Sequence, residues 1–263
     1  MITSYLVKIN MDIVIIGSGN VAAVLGRKFK AAGHTIAQIY SRNAADASKL
    51  AYELDSESTN YKSTINKQAA VYIIAVSDDA IDNVTDELRL PGKVVAHTAA
   101  SVPKEILKGI TDHYGVFYPL QSLRKDMTEL PDIPVFFDGS DTKTKTVLEQ
   151  LARSIAADKV VEASDETRLK LHVAAVVVSN FVNHLYSLAE DYCRKEGLDF
   201  KQLLPLIEET ASRLKDTSPQ QAQTGPALRH DSETIHKHIE LLKAHPQLKN
   251  IYVLLTESIQ QGK

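Results

Sequence analysis

The chain has 263 residues, with 30 Lys and Arg against 33 Asp and Glu, so its formal charge is −3. That length buries a sizeable core; the near-neutral charge argues against a dedicated nucleic-acid binder, and the single cysteine, Cys193, excludes an intramolecular disulfide framework or a cysteine-rich zinc site. The longest apolar run, 173–178, stops at Ser179 and Asn180, short of the roughly 20 residues a bilayer span requires, and no signal-peptide pattern opens the chain, so a cytoplasmic protein without membrane contact is expected.

Residues 1–10 read as an N-terminal extension, in which Tyr5-Leu6-Val7 is compatible with a short edge strand. From Asp12 the pattern alternates. Residues 13–16 form a continuous apolar run ending in Gly17, which suits a strand buried on both faces. Val21, Leu25, Phe29 and Ala32 recur at helical spacing before Gly33. A strand over 35–40, a helix over 44–54, a strand over 71–76 and a helix over 80–88 follow. Short strands are expected at 94–97, 115–118 and 135–137, then a helix over 142–157 and a last strand at 159–161. Such alternation predicts an α/β domain around a mostly parallel sheet. After Glu162 the character changes. Residues 164–196 hold neither Gly nor Pro and read as one long helix with Asp165 and Glu166 in its first turn. Helical patterns at 200–214, 232–244 and 248–261 complete an all-α second half. The expected organisation is a Rossmann-type domain over 11–163 and a helical substrate and dimerisation domain over 164–263.

The first turn carries the main functional signal. Gly17-Ser18-Gly19-Asn20-Val21-Ala22 follows a buried strand and opens a helix. Gly17 permits the tight turn, Gly19 lets a pyrophosphate approach the backbone, and Ala22 lets the helix pack on the strand. The phosphates then meet free N–H groups at a helix N-terminus. An ordinary strand–helix turn with two glycines is the bland alternative. The second strand ends at Tyr40-Ser41-Arg42-Asn43, without the acidic residue that binds a ribose 2′-hydroxyl in NAD sites. A serine hydroxyl and a guanidinium suit a 2′-phosphate, so NADP is the expected cofactor. Val76-Ser77-Asp78 closes the strand at 71–76 and is expected to line the same cleft, although Asp78 is equally suited to cap a helix.

Together with Ala75-Val76-Ser77-Asp78, these residues resemble the Rossmann half of the 6-phosphogluconate dehydrogenase-like superfamily. Three further segments, Tyr118-Pro-Leu-Gln-Ser122, His172-Val-Ala-Ala-Val-Val-Val-Ser-Asn180 and Thr224-Gly-Pro-Ala-Leu-Arg-His-Asp231, are similar to a bacterial family of predicted NADP oxidoreductases whose helical half is catalogued as domain of unknown function 2520. The resemblance implies a nicotinamide cofactor, a two-domain body and a dimer formed through the helical half. It does not imply a substrate. Family members usually show Arg-Gly-Asp where this chain has Arg229-His230-Asp231, and often a His at the position of Tyr118. The superfamily's Lys-x-x-x-Asn catalytic pair is missing, because Val176 stands four residues before Asn180.

Hydride transfer needs a group that gives or takes a proton. On an ideal helix at about 100° per residue, His172, Val176, Ser179 and Asn183 share one face, with Asn180 about 80° away. Such polar groups on an apolar helix either face a cofactor cleft or hydrogen-bond other helices at an interface. His172, Asn180 and Tyr118 are the catalytic candidates. Gln121, Ser179, Thr224 and Arg229 are the substrate-binding candidates: Arg229 has the fork for a carboxylate or phosphate, and Asp231 can cap the next helix or pair with Arg229. His230, His236, His238 and His245 carry no metal signal, since an i, i+2 pair cannot share an ion on a helix, and Cys193 reads as a packing residue. The expectation is an NADP-dependent oxidoreductase acting on a small carbonyl, imine or related substrate bound between the domains. The rival is a non-catalytic NADP-binding sensor on the same fold.

Overall fold

The structure, a computed structural model, describes residues 10–262. The edge strand expected at 5–7 lies outside the described residues. The chain divides into two compact units, with Val176 ending the first and Val177 opening the second.

The first unit is built on an eight-stranded sheet. Its elements run β1 (Asp12–Ile16), α1 (Asn20–Ala32), β2 (Thr35–Tyr40), α2 (Ala44–Leu54), β3 (Glu57–Thr59), β4 (Val71–Ile74), α3 (Ile81–Thr85), β5 (Val94–His97), β6 (His113–Pro119), β7 (Val135–Gly139), α4 (Thr142–Ala156) and β8 (Val160–Glu162). The strand order is β3-β2-β1-β4-β5-β6-β7-β8. The first six strands are parallel in the order typical of the dinucleotide-binding fold, with the topological switch between β1 and β4. Strand β7 runs antiparallel to β6, pairing Phe117 with Phe137 and Tyr118 with Phe136.

Strand periodicity sorts the core into two layers. Ile13 and Ile15 of β1 pack with Leu25, Phe29 and Leu148 from the helices on one face. Val14 and Ile16 pack with Tyr72, Ile74, Ile81 and Leu107 on the other. Every strand and helix expected over 11–163 is present. The helix expected over 80–88 is shorter: a 3₁₀ turn over Asp78–Ala80 leads into α3, which ends at Thr85. Asn83, Thr85 and Asp86 are weak helix formers, which favours this early stop. Strand β3 was not foreseen, because Glu57-Ser58-Thr59 carries no apolar residue; it forms by backbone pairing to β2.

The helix after β8 begins as α5 (Asp165–Ala175), passes through a π-helical stretch over Val176–Phe181, and continues as α6 (Val182–Lys195). The uniform α-helix expected over 164–196 is therefore interrupted, and the π-turn moves every later side chain out of the phase that 100° per residue assumes. The boundary drawn at 163/164 coincides with the end of the sheet, whereas the compact units part within this helix. Taken whole, Asp165–Lys195 spans 31 residues and is apolar enough to cross a membrane by length and composition alone. Counting only uninterrupted apolar residues had excluded such a segment; the helix continues through Ser179 and Asn180. Its first turns are fixed to the sheet by Arg168, as described below.

The second unit continues with α7 (Leu204–Arg213), α8 (Pro219–Ala222), α9 (Ser232–Leu241) and α10 (Pro246–Gln261). Ser218 caps the short α8, which was not foreseen. His245, buried at the start of α10, bonds Glu196 at 2.7 Å and packs edge-on against Tyr192. His230 adopts a left-handed backbone with φ +52°. An L side chain is strained there. His230→Gly should therefore stabilise the protein by about 0.5–1 kcal/mol in urea unfolding, the strain relieved outweighing the extra freedom of the unfolded chain.

Candidate active site

The glycine turn sits at the carboxyl ends of β1 and β4. Gly17 has φ +129°, and a Cβ there would lie 2.1 Å from the Ala75 carbonyl oxygen. Its N–H donates to the Tyr40 carbonyl at 2.7 Å, which ties the turn to the end of β2. Gly19 differs. Its φ is −80° and a Cβ there would touch nothing in the protein. Neither backbone conformation nor packing within the protein demands glycine at this position. Helix α1 has no capping side chain and no acid in its first turn. Its leading N–H groups and dipole thus face a cleft of about 530 Å³ lined by Gly17 through Val21.

The cleft continues past Ser41 and Arg42 on one side and Val76 and Ser77 on the other. Ser18 and Ser41 share a hydrogen bond of 2.8 Å, and Asn20 accepts the Lys125 N–H at 3.0 Å. Arg42 is exposed. Among the described residues no carboxylate lines this cleft, whereas Arg42 and Lys62 both do. The residues present therefore fit a cofactor with a pyrophosphate and a further phosphate. Asp78 is held by its own local contact. It lies inside the 3₁₀ turn rather than at its cap, and its carboxylate accepts a hydrogen bond from Ser101.

Tyr118, near the carboxyl end of β6, is buried, and its hydroxyl lies 3.0 Å from His172 Nδ1 on α5. Burial raises the phenol above its usual range; nearby Arg168 opposes this and Asp78 reinforces it. Arg168, one helical turn before His172, is only 1% exposed. Its Nε donates to the Ala100 carbonyl at 3.1 Å and its Nη2 to the Val102 carbonyl at 2.6 Å. Nη1 lies 2.8 Å from Asp165 Oδ1, an ion pair without hydrogen-bond alignment. The guanidinium thereby fastens α5 to the loop after β5.

Comparison with known proteins agrees with this geometry. The model of the coenzyme F420-dependent NADP oxidoreductases matches residues 12–101, and domain of unknown function 2520 matches 133–259. A Bacteroides fragilis protein described as an NADP oxidoreductase is 35% identical, with 96% of this chain and 98% of that one covered and a TM-score of 0.86. The chain belongs to this NADP oxidoreductase family. A Thermotoga maritima protein shares the fold at 24% identity, covering 95% of this chain and 100% of that one at a TM-score of 0.76. So does an Aspergillus terreus reductive aminase solved with NADPH and ethyl-5-oxohexanoate, at 15% identity, 95% and 93% coverage and a TM-score of 0.67. No curated protein matches the chain.

The other candidate residues of this NADP oxidoreductase have these surroundings. Gln121 braces its own loop, donating to the Asp132 carbonyl at 3.2 Å and accepting the Ser122 N–H at 3.0 Å. In the second unit, Ser179 and Asn180 lie in the π-helical stretch, Ser179 half-buried and Asn180 exposed. Thr224 and Arg229 are exposed. Asp231 caps α9 through the Thr234 N–H and hydroxyl; these bonds, with Arg229 adding to them, hold its carboxyl below the usual range. Cys193 is buried, and no group of three or more potential metal ligands occurs among the described residues.

Sequence reasoning missed Lys62, Asn83 and Arg168. The first two reach the cleft from the turn after β3 and from α3, and no local pattern marks them. Arg168 did carry a signal: the polar stripe that begins at His172 extends one turn back to it.

His97 is the last residue of β5. It is fully buried, accepts the Ala99 N–H at 3.2 Å on Nδ1, and has no hydrogen-bond partner on Nε2. Burial, then Arg168, pushes its pKa down to about 4 from 6.5, against the Pro103 backbone, Asp165 and Asp78. The unfolded chain therefore binds a proton that the folded chain refuses between those two values. This contribution to stability is complete above pH 6.5 and is lost as pH falls toward 4. Urea unfolding of the wild type and His97→Asn across that window should show a steeper decline for the wild type, by about 3 kcal/mol at most. Parallel curves would show that His97 is not the group responsible.

Proposed function

We propose that the protein reduces the C=O or C=N bond of a small molecule with NADPH, and that Tyr118 and His172 manage the proton. The supporting observation is the Tyr118–His172 hydrogen bond at the end of β6, on the same carboxyl edge of the sheet as the glycine turn. Gly17 through Val21 would hold the pyrophosphate, with Ser41 and Arg42 on the 2′-phosphate and Val76 and Ser77 along the opposite wall. When bound, NADPH supplies the hydride.

The protein's part is positioning and proton supply. A neutral imidazole with its proton on Nε2 accepts the phenol O–H on Nδ1. A protonated imidazole donates from Nδ1 to the phenol oxygen and leaves the phenol proton free for the substrate. His172 then restores the proton that Tyr118 gives up. The phenol carries its proton at neutral pH, and burial raises it further.

In a screen of small ketones, aldehydes and imines with NADPH, Tyr118→Phe and His172→Gln should each lower kcat by about 10²–10⁴ while NADPH binding stays near the wild-type value. Retention of kcat within a few-fold in both variants would remove the pair from the mechanism.

We further propose a homodimer formed through the helical unit. Within that unit only Cys193, Ala227, Ile235, Leu242 and His245 are buried among the described residues. Val178, Phe181, Leu206 and Leu254 remain between 58% and 71% exposed. So much exposed apolar surface on so small a core calls for a cover, and a second copy supplies one of matching character. Sedimentation should show a dimer at micromolar concentration, which Val178→Asp with Phe181→Asp converts to monomer. A monomeric wild type would overturn the proposal.

A further inference from the structure

We propose that Lys62 is a second determinant of NADPH selectivity beside Arg42, and that Glu87 engages it until a phosphate displaces the carboxylate. The inference rests on the cofactor reading above and deepens it. Lys62 opens the 3₁₀ turn Lys62–Thr64 that follows β3. The Ser41 N–H donates to the Thr59 carbonyl at 3.1 Å, so the segment leading into this turn runs alongside the Ser41–Arg42 corner. A backbone pairing thus brings a second cation, distant in sequence, to the wall that Arg42 lines.

The surroundings of Lys62 fit an exchange. Its Nζ donates to the Asn83 carbonyl and lies 3.6 Å from Glu87 Oε2. Lys62 is 28% exposed and Glu87 73% exposed, so their pairing is solvent-screened and weak. A phosphate carrying nearly two negative charges is the stronger partner for an ammonium. Among the described residues neither Glu87 nor any other carboxylate lines the cleft, so no described side chain competes with the lysine's charge on the ligand side. The two cations complement each other: Arg42 offers a planar fork and Lys62 a compact charge that can swing between partners. NADH lacks the phosphate and gains nothing from the exchange.

The test is titration of the full-length wild type, Arg42→Ala, Lys62→Met, Lys62→Arg and Glu87→Gln with NADPH and with NADH. Lys62→Met should weaken NADPH about tenfold and shift NADH by less than about twofold, as expected for one lost charge-assisted contact. Lys62→Arg should keep the preference. Glu87→Gln should tighten NADPH by about two- to threefold, since it removes the competing carboxylate. Equal weakening of both cofactors by Lys62→Met would show that Lys62 only braces the wall through Asn83, and that result overturns the inference. So does an unchanged NADPH affinity. A wild type without NADPH preference defeats the cofactor reading itself, and the inference with it. A wild-type preference that Arg42→Ala reduces and Lys62→Met leaves intact defeats the inference alone.

Discussion

The chain leaves β1 so close to the end of β4 that no side chain fits between them. A Cβ on Gly17 would lie 2.1 Å from the Ala75 carbonyl oxygen, and the left-handed φ of +129° at this residue points to the same answer. This close passage sets where α1 begins. The helix starts over the carboxyl edge of the sheet at the switch between β1 and β4, with its leading N–H groups uncapped. Around that point the walls are tied by short polar links: Gly17 to Tyr40, Ser18 to Ser41 and Asn20 to Lys125. The cleft is a consequence of backbone geometry, and its positive character follows from the helix end, Arg42 and Lys62.

A second anchor organises the far side of the sheet. A buried guanidinium is costly unless its donors are matched, and removing its partners typically destabilises by about 3–5 kcal/mol. Arg168 donates hydrogen bonds to the Ala100 and Val102 carbonyls and its charge is paired with Asp165. By fastening the start of α5 to the loop after β5, it sets His172, one turn later, against Tyr118. The same charge reaches His97 and Tyr118, where it works with burial in the first and against it in the second. One residue without a direct part in the proposed chemistry thus shapes the position and the electrostatics of those that have one.

Legibility followed the range of the interactions. The glycine turn, the missing acid after β2 and the alternation of strands and helices are local patterns, and each is present where the spacing placed it. Tyr118 and His172 were nominated separately, from a strand end and a helix stripe; their hydrogen bond joins residues distant in sequence. The stripe itself was legible only as far as Val176, because the π-turn that follows breaks the period on which the pattern relied. Strand β3 left no trace in hydropathy, and Lys62 was hidden with it. Asp78 accepts a hydrogen bond from Ser101 and Gln121 bonds within its own loop, pairings that no local pattern announces.

By itself, the sequence determined the alternation of the main strands and helices, the position of the glycine turn and the change to an all-helical second half. Each is decided by neighbours along the chain, through turn chemistry and through periods of 2 and 3.6 residues. Only the tertiary structure decided that Arg168 is buried, that Tyr118 meets His172, that Lys62 joins Arg42 on one wall and that His97 is held neutral. Those outcomes depend on which surfaces the sheet order brings together, and a side chain's charge, partner and proton affinity are properties of that packed environment rather than of the residue.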